Sequence, residues 1–205
     1  MTISRNDNRN DNKNKRIGAL ALFVGVGLAA SLARAPQVEA AAFTLTSTAF
    51  KNNGAIPPKY SFNAMGCTGE NLSPPLEWKN PPAGTKSFAL LVHDPDAPTG
   101  SGWWHWVVYN IPAETTSLPE GAGAADGHAL PKGTVQGTTD FGKAGYGGPC
   151  PPPGSGKHHY NFKLVALKVD KIDVPPGASA AMVGFNVNAN KLGEAKLTGT
   201  FELKK

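Results

Sequence analysis

The chain has 205 residues, of which 17% are charged and 40% hydrophobic; this excludes both a disordered polyelectrolyte and a multi-pass membrane protein. Its 24 Gly and 18 Pro, which break helices and here lack the collagen period, disfavour an all-helical bundle. The formal charge of +5 comes largely from Arg5, Arg9, Lys13, Lys15, Arg16 and Arg34, so residues 41–205 are close to neutral, contain no Arg, and show no basic footprint for nucleic acid.

Residues 1–40 read as a cleaved export signal. An Asn-rich basic stretch ends at Arg16, and an uncharged run follows from Ile17 to Leu32. As a helix that run spans roughly 24 Å, short of a hydrocarbon core of about 30 Å. Val38 and Ala40 stand at the −3 and −1 positions before Ala41, the pattern of a cleavage site. An uncleaved anchor is the alternative. No Cys lies near for lipid attachment and no twin Arg is present, so the general export route is expected, with a periplasmic or secreted product. Residues 41–205 then form one domain with no integral membrane span. Cys67 and Cys150 both lie in it; an oxidising compartment favours pairing them, and two free buried thiols are the other reading.

Along that domain, Phe43 and Leu45 begin an alternating strand, and residues 51–60 carry turn signals. Leu76 to Trp78 follow a further loop. Ser87 to His93 (SFALLVH) is an apolar run of strand length, buried on both faces, and His105 to Ile111 (HWVVYNI) is a second central strand. Residues 119–157 are irregular and rich in Gly and Pro, and so long a loop is either functional or disordered. His159 to Val169 reads as a third strong strand. Ala178 to Leu192 is the helical candidate, with Ala180, Ala181, Val183 and Val187 on its apolar face. Lys196 to Leu203 closes the chain as an alternating strand. The sum is a β-rich domain with one or two short helices.

Polar residues gather where these strands end. His93 to Pro98 (HDPDAP) leaves the first central strand, Trp103 to Trp106 opens the second, and a Gly/Pro-rich segment from Gly147 runs into His158 and His159 at the third. If the three strands are neighbours, Asp94, Asp96, His105 and His158 converge at one rim that Gly and Pro shape. His158 and His159 must point to opposite faces. Two readings follow: a carboxylate-oriented, charged imidazole that binds phosphate-like anions, or a metal site built on the same Asp and His residues. Neither a Gly-x-Ser-x-Gly elbow nor a His-Glu-x-x-His helix is present, and Ser101 and Cys150 lack the context of a nucleophile. The duller alternatives are turn-forming aspartates, a packed His105 and a rigid surface loop.

Asp94-Pro95-Asp96-Ala97-Pro98, Trp103 with His105, Gly148 to Gly154 (GPCPPPG) and His158-His159-Tyr160 together resemble the phosphatidylethanolamine-binding protein family, in particular its bacterial Raf-kinase-inhibitor-like branch. The stretches Glu70 to Trp78, Gly100 to Trp106 and Asp140 to Gly142 support this, and the resemblance covers about residues 43–203. It implies a mainly β fold, a large antiparallel sheet packed on a smaller sheet, with a small anion pocket at one end of the strands. Carried over by motif, the ligand-binding residues are Asp94, Asp96, Pro98, His105, Gly148, Pro152 and His158. The implied ligands are phosphate-like anions or phospholipid headgroups. A non-enzymatic binding protein without cofactor or metal is therefore expected, in which His105 and His158 hold one anion with backbone donors around Gly148. The alternatives are an inhibitor of a protease or kinase acting through the pocket rim on a protein target, and a metal-dependent hydrolase.

Overall fold

The computed structural model describes residues 41–205; the expected export signal, residues 1–40, lies outside the described residues. The strands in chain order are β1 (Thr44–Thr46), β2 (Gly54–Ala55), β3 (Leu76–Lys79), β4 (Ser87–Asp94), β5 (Trp103–Pro112), β6 (Ser117–Leu118), β7 (Val135–Gln136) and β8 (His158–Leu167). Helix α1 (Ala180–Ala189) and strand β9 (Lys191–Phe201) complete the fold, and a single 3-10 turn covers Pro58–Tyr60.

A strand that is apolar at successive positions must be covered on both faces. β4 satisfies this from the middle of a six-stranded sheet of order β2-β9-β8-β4-β5-β7, antiparallel throughout except for the short β2–β9 pair. Phe88, Leu90 and Val92 point to one side, where they pack with Trp106 and Val108 of β5 and Phe162 and Leu164 of β8. The three-stranded sheet β1-β3-β6 covers that side, contributing Leu45, Leu76, Trp78 and Leu118. Ala89 and Leu91 point to the other side with Val107 and Val165, and there Ala180, Val183 and Val187 of α1 cover them. The fold is thus the mainly β arrangement of a large sheet on a smaller one, with a single α-helix among the described residues.

Several details differ from the sequence reading. α1 stops at Ala189 rather than continuing to Leu192, and β9 starts at Lys191 rather than Lys196. Helix and strand are separated only by Asn190, and the polar start of β9 lacks the alternation that marks its second half. Ser179 caps α1 by accepting a hydrogen bond from the Met182 amide at 3.2 Å. Ala181 lies on the exposed face of α1, not on its apolar one. Residues 119–157 are largely irregular, as read from the sequence, but Gly145 to Pro149 within them are all buried, and β7 pairs with Val108 and Tyr109.

Leu90→Ala opens a cavity in the fully buried layer and is expected to lower stability by about 2–5 kcal/mol. Phe185→Ala, at a side chain 75% exposed on α1, should change it by less than about 0.5 kcal/mol. Urea unfolding of the two variants beside the parent chain checks both numbers.

Candidate functional site

β4 runs antiparallel to both β5 and β8, so the end of β4 meets the starts of the other two. Asp94, His105 and His158 meet there because of that topology. One irregularity is needed as well. Val92 pairs with Trp106 and His93 with Trp104, which leaves His105 as an extra residue on β5 with no partner on β4. Strict alternation would turn His105 away from the face that Trp106 occupies. The bulge lets Trp106 enter the core between the sheets while His105 lies beside Tyr160, ring centroids 5.0 Å apart.

The result is a cavity of about 210 Å³. Its buried lining is Asp94, His105, His158 and Tyr160 with Pro151; its more open lining is mostly apolar and includes Met65, Pro98, Trp103, Phe141 and Pro152. No Lys lines it. Asp94 and His158 form an almost completely buried pair, Oδ2 to Nδ1 2.7 Å. Asp94 Oδ1 accepts a further bond from the Asp96 amide at 2.8 Å. His158 Nε2 lies 3.0 Å from Ser155 Oγ, and that hydroxyl donates its one hydrogen to the Pro152 carbonyl at 2.8 Å. Both nitrogens of His158 are therefore engaged, Nδ1 with Asp94 and Nε2 with Ser155.

His105 differs. It is 4% exposed, its Nδ1 lies 2.6 Å from the Gly147 carbonyl, and its Nε2 has no hydrogen-bond partner among the described residues. A carbonyl only accepts, so Nδ1 carries the hydrogen and Nε2 is a bare acceptor. Burial pulls the ring's pKa down from 6.5 to about 4, against the opposing pull of the Gly147 bond and of Asp94. The expectation that His105 is a charged donor is corrected on this ground: burial favours the neutral ring, and no carboxylate bonds to it. Tyr160 is also buried, with a hydroxyl that faces the Asp94 carboxylate but has no partner within hydrogen-bond distance among the described residues. Burial, with the Asp94 charge close by, pushes its ionisation upward, so it keeps its proton.

Of the residues singled out in the sequence, Asp94, Pro98, His105, Pro152 and His158 line the cavity, whereas Asp96 and Gly148 do not. Asp96 turns outward, where its Oδ2 accepts from the amide and from Nδ1 of His159, both at 2.7 Å. His158 and His159 face opposite sides and each takes one aspartate. The Gly148 amide donates to Asn71 Oδ1 at 2.7 Å and the Gly147 amide to the His105 carbonyl at 2.9 Å, so neither is free for a ligand. Gly148 is needed for packing instead: a Cβ there would stand 2.3 Å from the Tyr60 carbonyl. Asp94, Asp96, His105 and His158 do not converge as metal ligands, and no group of three His, Cys, Asp or Glu does among the described residues. Cys67 and Cys150 are bonded, S–S 2.03 Å, and tie the turn bearing Met65 to the cavity mouth. Tyr160 was missed in the choice of site residues, although it lies two positions after His158 and alternation puts both on one face.

The two-sheet β fold thus carries a cavity with an apolar mouth at the ends of its central strands. A family model described as phosphatidylethanolamine-binding protein matches residues 46–202, and the chain belongs to that family. It is 54% identical to the UPF0098 protein YbcL of Escherichia coli K12 over 82% of this chain and 92% of that one. The crystal structure of E. coli YbcL superposes with a TM-score of 0.78 at 53% identity, covering 80% of this chain and all of the other. A homologue from Chlamydia trachomatis, itself described as a putative member of the family, gives 0.66 at 35% identity, with 78% and 97% covered. A putative lipoprotein, LppC of Mycobacterium tuberculosis H37Rv, is 38% identical over 83% of this chain and 77% of its own. Membership supports a binding protein in the general sense. The lipoprotein relative and the disulfide are compatible with export, and no described helix is long and apolar enough to cross a membrane.

Because the folded His105 titrates near 4 and the unfolded one near 6.5, the unfolded chain binds more protons between those values. Stability from this residue is full above about pH 6.5, falls as pH drops through the window, and loses up to about 3 kcal/mol in total. Urea unfolding from pH 7 to pH 4 should show this slope in the parent chain and lose it in His105→Gln; parallel curves would refute it. Thiol titration of the denatured, unreduced chain residues 41–205 is expected to find no free thiol; two per chain would exclude the bridge.

Proposed function

We propose that this protein is an exported, non-enzymatic binding module that seats one phosphate-like group, free or as a phospholipid headgroup, in the cavity at the end of β4, β5 and β8. The observation that carries the reading is Tyr160: a protonated hydroxyl, buried, without a partner, in a cavity of about 210 Å³. Buried polar groups are almost always satisfied, and an orphan on a cavity wall is a place for a ligand oxygen. The family's description, phosphatidylethanolamine-binding, agrees in ligand chemistry. The apolar mouth of Met65, Trp103 and Phe141 suits a carbon chain attached to that group.

In this reading Asp94 and His158 form the fixed polar wall, Pro98 and Pro152 hold the mouth rigid, and Tyr160 and His105 meet the ligand. Asp96 and Gly148 act one step back, by holding the His159 segment and the packed glycine loop. The family's description as a binding protein supports binding rather than catalysis. Export is supported by the signal-like residues 1–40 and places the protein in the periplasm or outside the cell.

Calorimetric titration with phosphoethanolamine should show one site per chain. Tyr160→Phe removes a hydrogen bond to a charged group, about 1.5–3 kcal/mol, and should weaken binding about 10- to 150-fold with an unchanged circular dichroism spectrum. Equal affinity in Tyr160→Phe and the parent, or no binding by the parent, would refute the reading.

A further inference from the structure

The rim of the cavity differs sharply from its floor. Met65, Pro98, Trp103, Phe141 and Pro152 form the open part of the lining, and no charged side chain stands among them. The ionisable groups Asp94, His105, His158 and Tyr160 are all buried beneath it, and the one carboxylate is paired with His158. Met65 is 74% exposed, at the tip of a turn in which the Cys67 amide donates to the Ala64 carbonyl at 3.0 Å. Its backbone is left-handed, φ 57°, and Gly66 follows at 87°. A turn with two such residues favours Gly, Asn or Asp there, not a long apolar side chain. The disulfide from Cys67 to Cys150 holds this turn against the cavity wall. The fold thus accepts local strain and keeps an unburied methionine at the opening.

A cavity of about 210 Å³ is roughly 6 Å across if compact, whereas one acyl chain of a phospholipid reaches through half of a hydrocarbon core of about 30 Å. The headgroup can enter and the chains cannot. Pulling the chains out of a bilayer would expose every methylene to water. A lipid is therefore read in place, with the cavity mouth pressed on the membrane surface. We propose that the rim is a membrane-docking surface: Met65, Trp103 and Phe141 enter the interface of a phospholipid bilayer while the phosphate of a lipid still in that bilayer meets Tyr160 inside the cavity. This rests on the anion-pocket reading above and commits it to the lipid surface as the source of the phosphate. Tryptophan collects at the boundary between headgroups and chains, which suits Trp103 at the opening. An uncharged rim enters that boundary without stripping water from an ion. The other exposed apolar pair is Met182 and Phe185 of α1; it lies over the face of the large sheet and is no part of the cavity lining.

Vesicles of phosphatidylethanolamine and phosphatidylcholine carry no net charge. On centrifugation they should carry down the exported chain, residues 41–205, and the bound fraction should hold from about 0.05 to 0.5 M salt, because the rim has no ion pair to screen. Lipid brominated along its chains should quench tryptophan emission on docking, and the quenching should vanish in Trp103→Phe. Met65→Asn keeps the left-handed turn, since Asn accepts that backbone, and should weaken vesicle binding about 10-fold. Its effect on phosphoethanolamine, which has no chains, should be smaller. Phe185→Ala should bind vesicles as the parent does. Quenching that persists in Trp103→Phe, an equal loss in Phe185→Ala, or adsorption that salt abolishes would put the contact elsewhere and overturn the proposal. Phosphoethanolamine binding without vesicle binding overturns the docking and leaves the anion pocket standing. No binding of either overturns both.

Discussion

The structure depends on one constraint: β4 is apolar at consecutive positions, and a strand of that kind cannot leave either face in water. The small sheet answers on one side and α1 on the other, and each supplies a separate apolar layer. The run SFALLVH ends at Asp94, and there the cover ends too. The cavity lies where the protein runs out of apolar side chains to bury but still holds polar ones away from solvent. Its location is a consequence of the core's length along the strand.

At that end the electrostatics is arranged by hydrogen-bond saturation. The Asp94–His158 pair is buried, and a buried ion pair gives little net stability unless its remaining valences are met. Here they are met, by the Asp96 amide on one side and Ser155 on the other. The pair is consequently rigid and chemically quiet. What stays open is the neutral His105 and Tyr160, whose charge states burial has already decided.

The sequence made much of this legible. β4, β5 and β8 stood out because their apolar, β-branched and aromatic runs are long, and their meeting rim followed once they were neighbours. Opposite faces for His158 and His159 followed from period two alone. The rest was hidden for identifiable reasons. The bulge at His105 is a matter of register between two strands and leaves no mark in either one. Asp94 and Asp96 look alike in DPDAP, yet one pairs inward with His158 and the other outward with His159, because a turn separates them. Gly148 is a ligand contact by the motif resemblance, but what approaches it is the backbone of Tyr60 and Ser61. The start of β9 was missed because its register is set by β8, not by its own pattern.

The placement of the aromatic residues has a practical side. Trp78 and Trp106 are sealed in the core, and Trp104 lies against His93, ring centroids 4.3 Å apart. Trp103 alone of the four lines the cavity, edge-on to Phe141 and half open to water. A guest entering the mouth would displace solvent from that indole while leaving the other three in unchanged surroundings. The protein thus carries a built-in optical reporter of occupancy, and its intrinsic emission follows the filling of the cavity without any label.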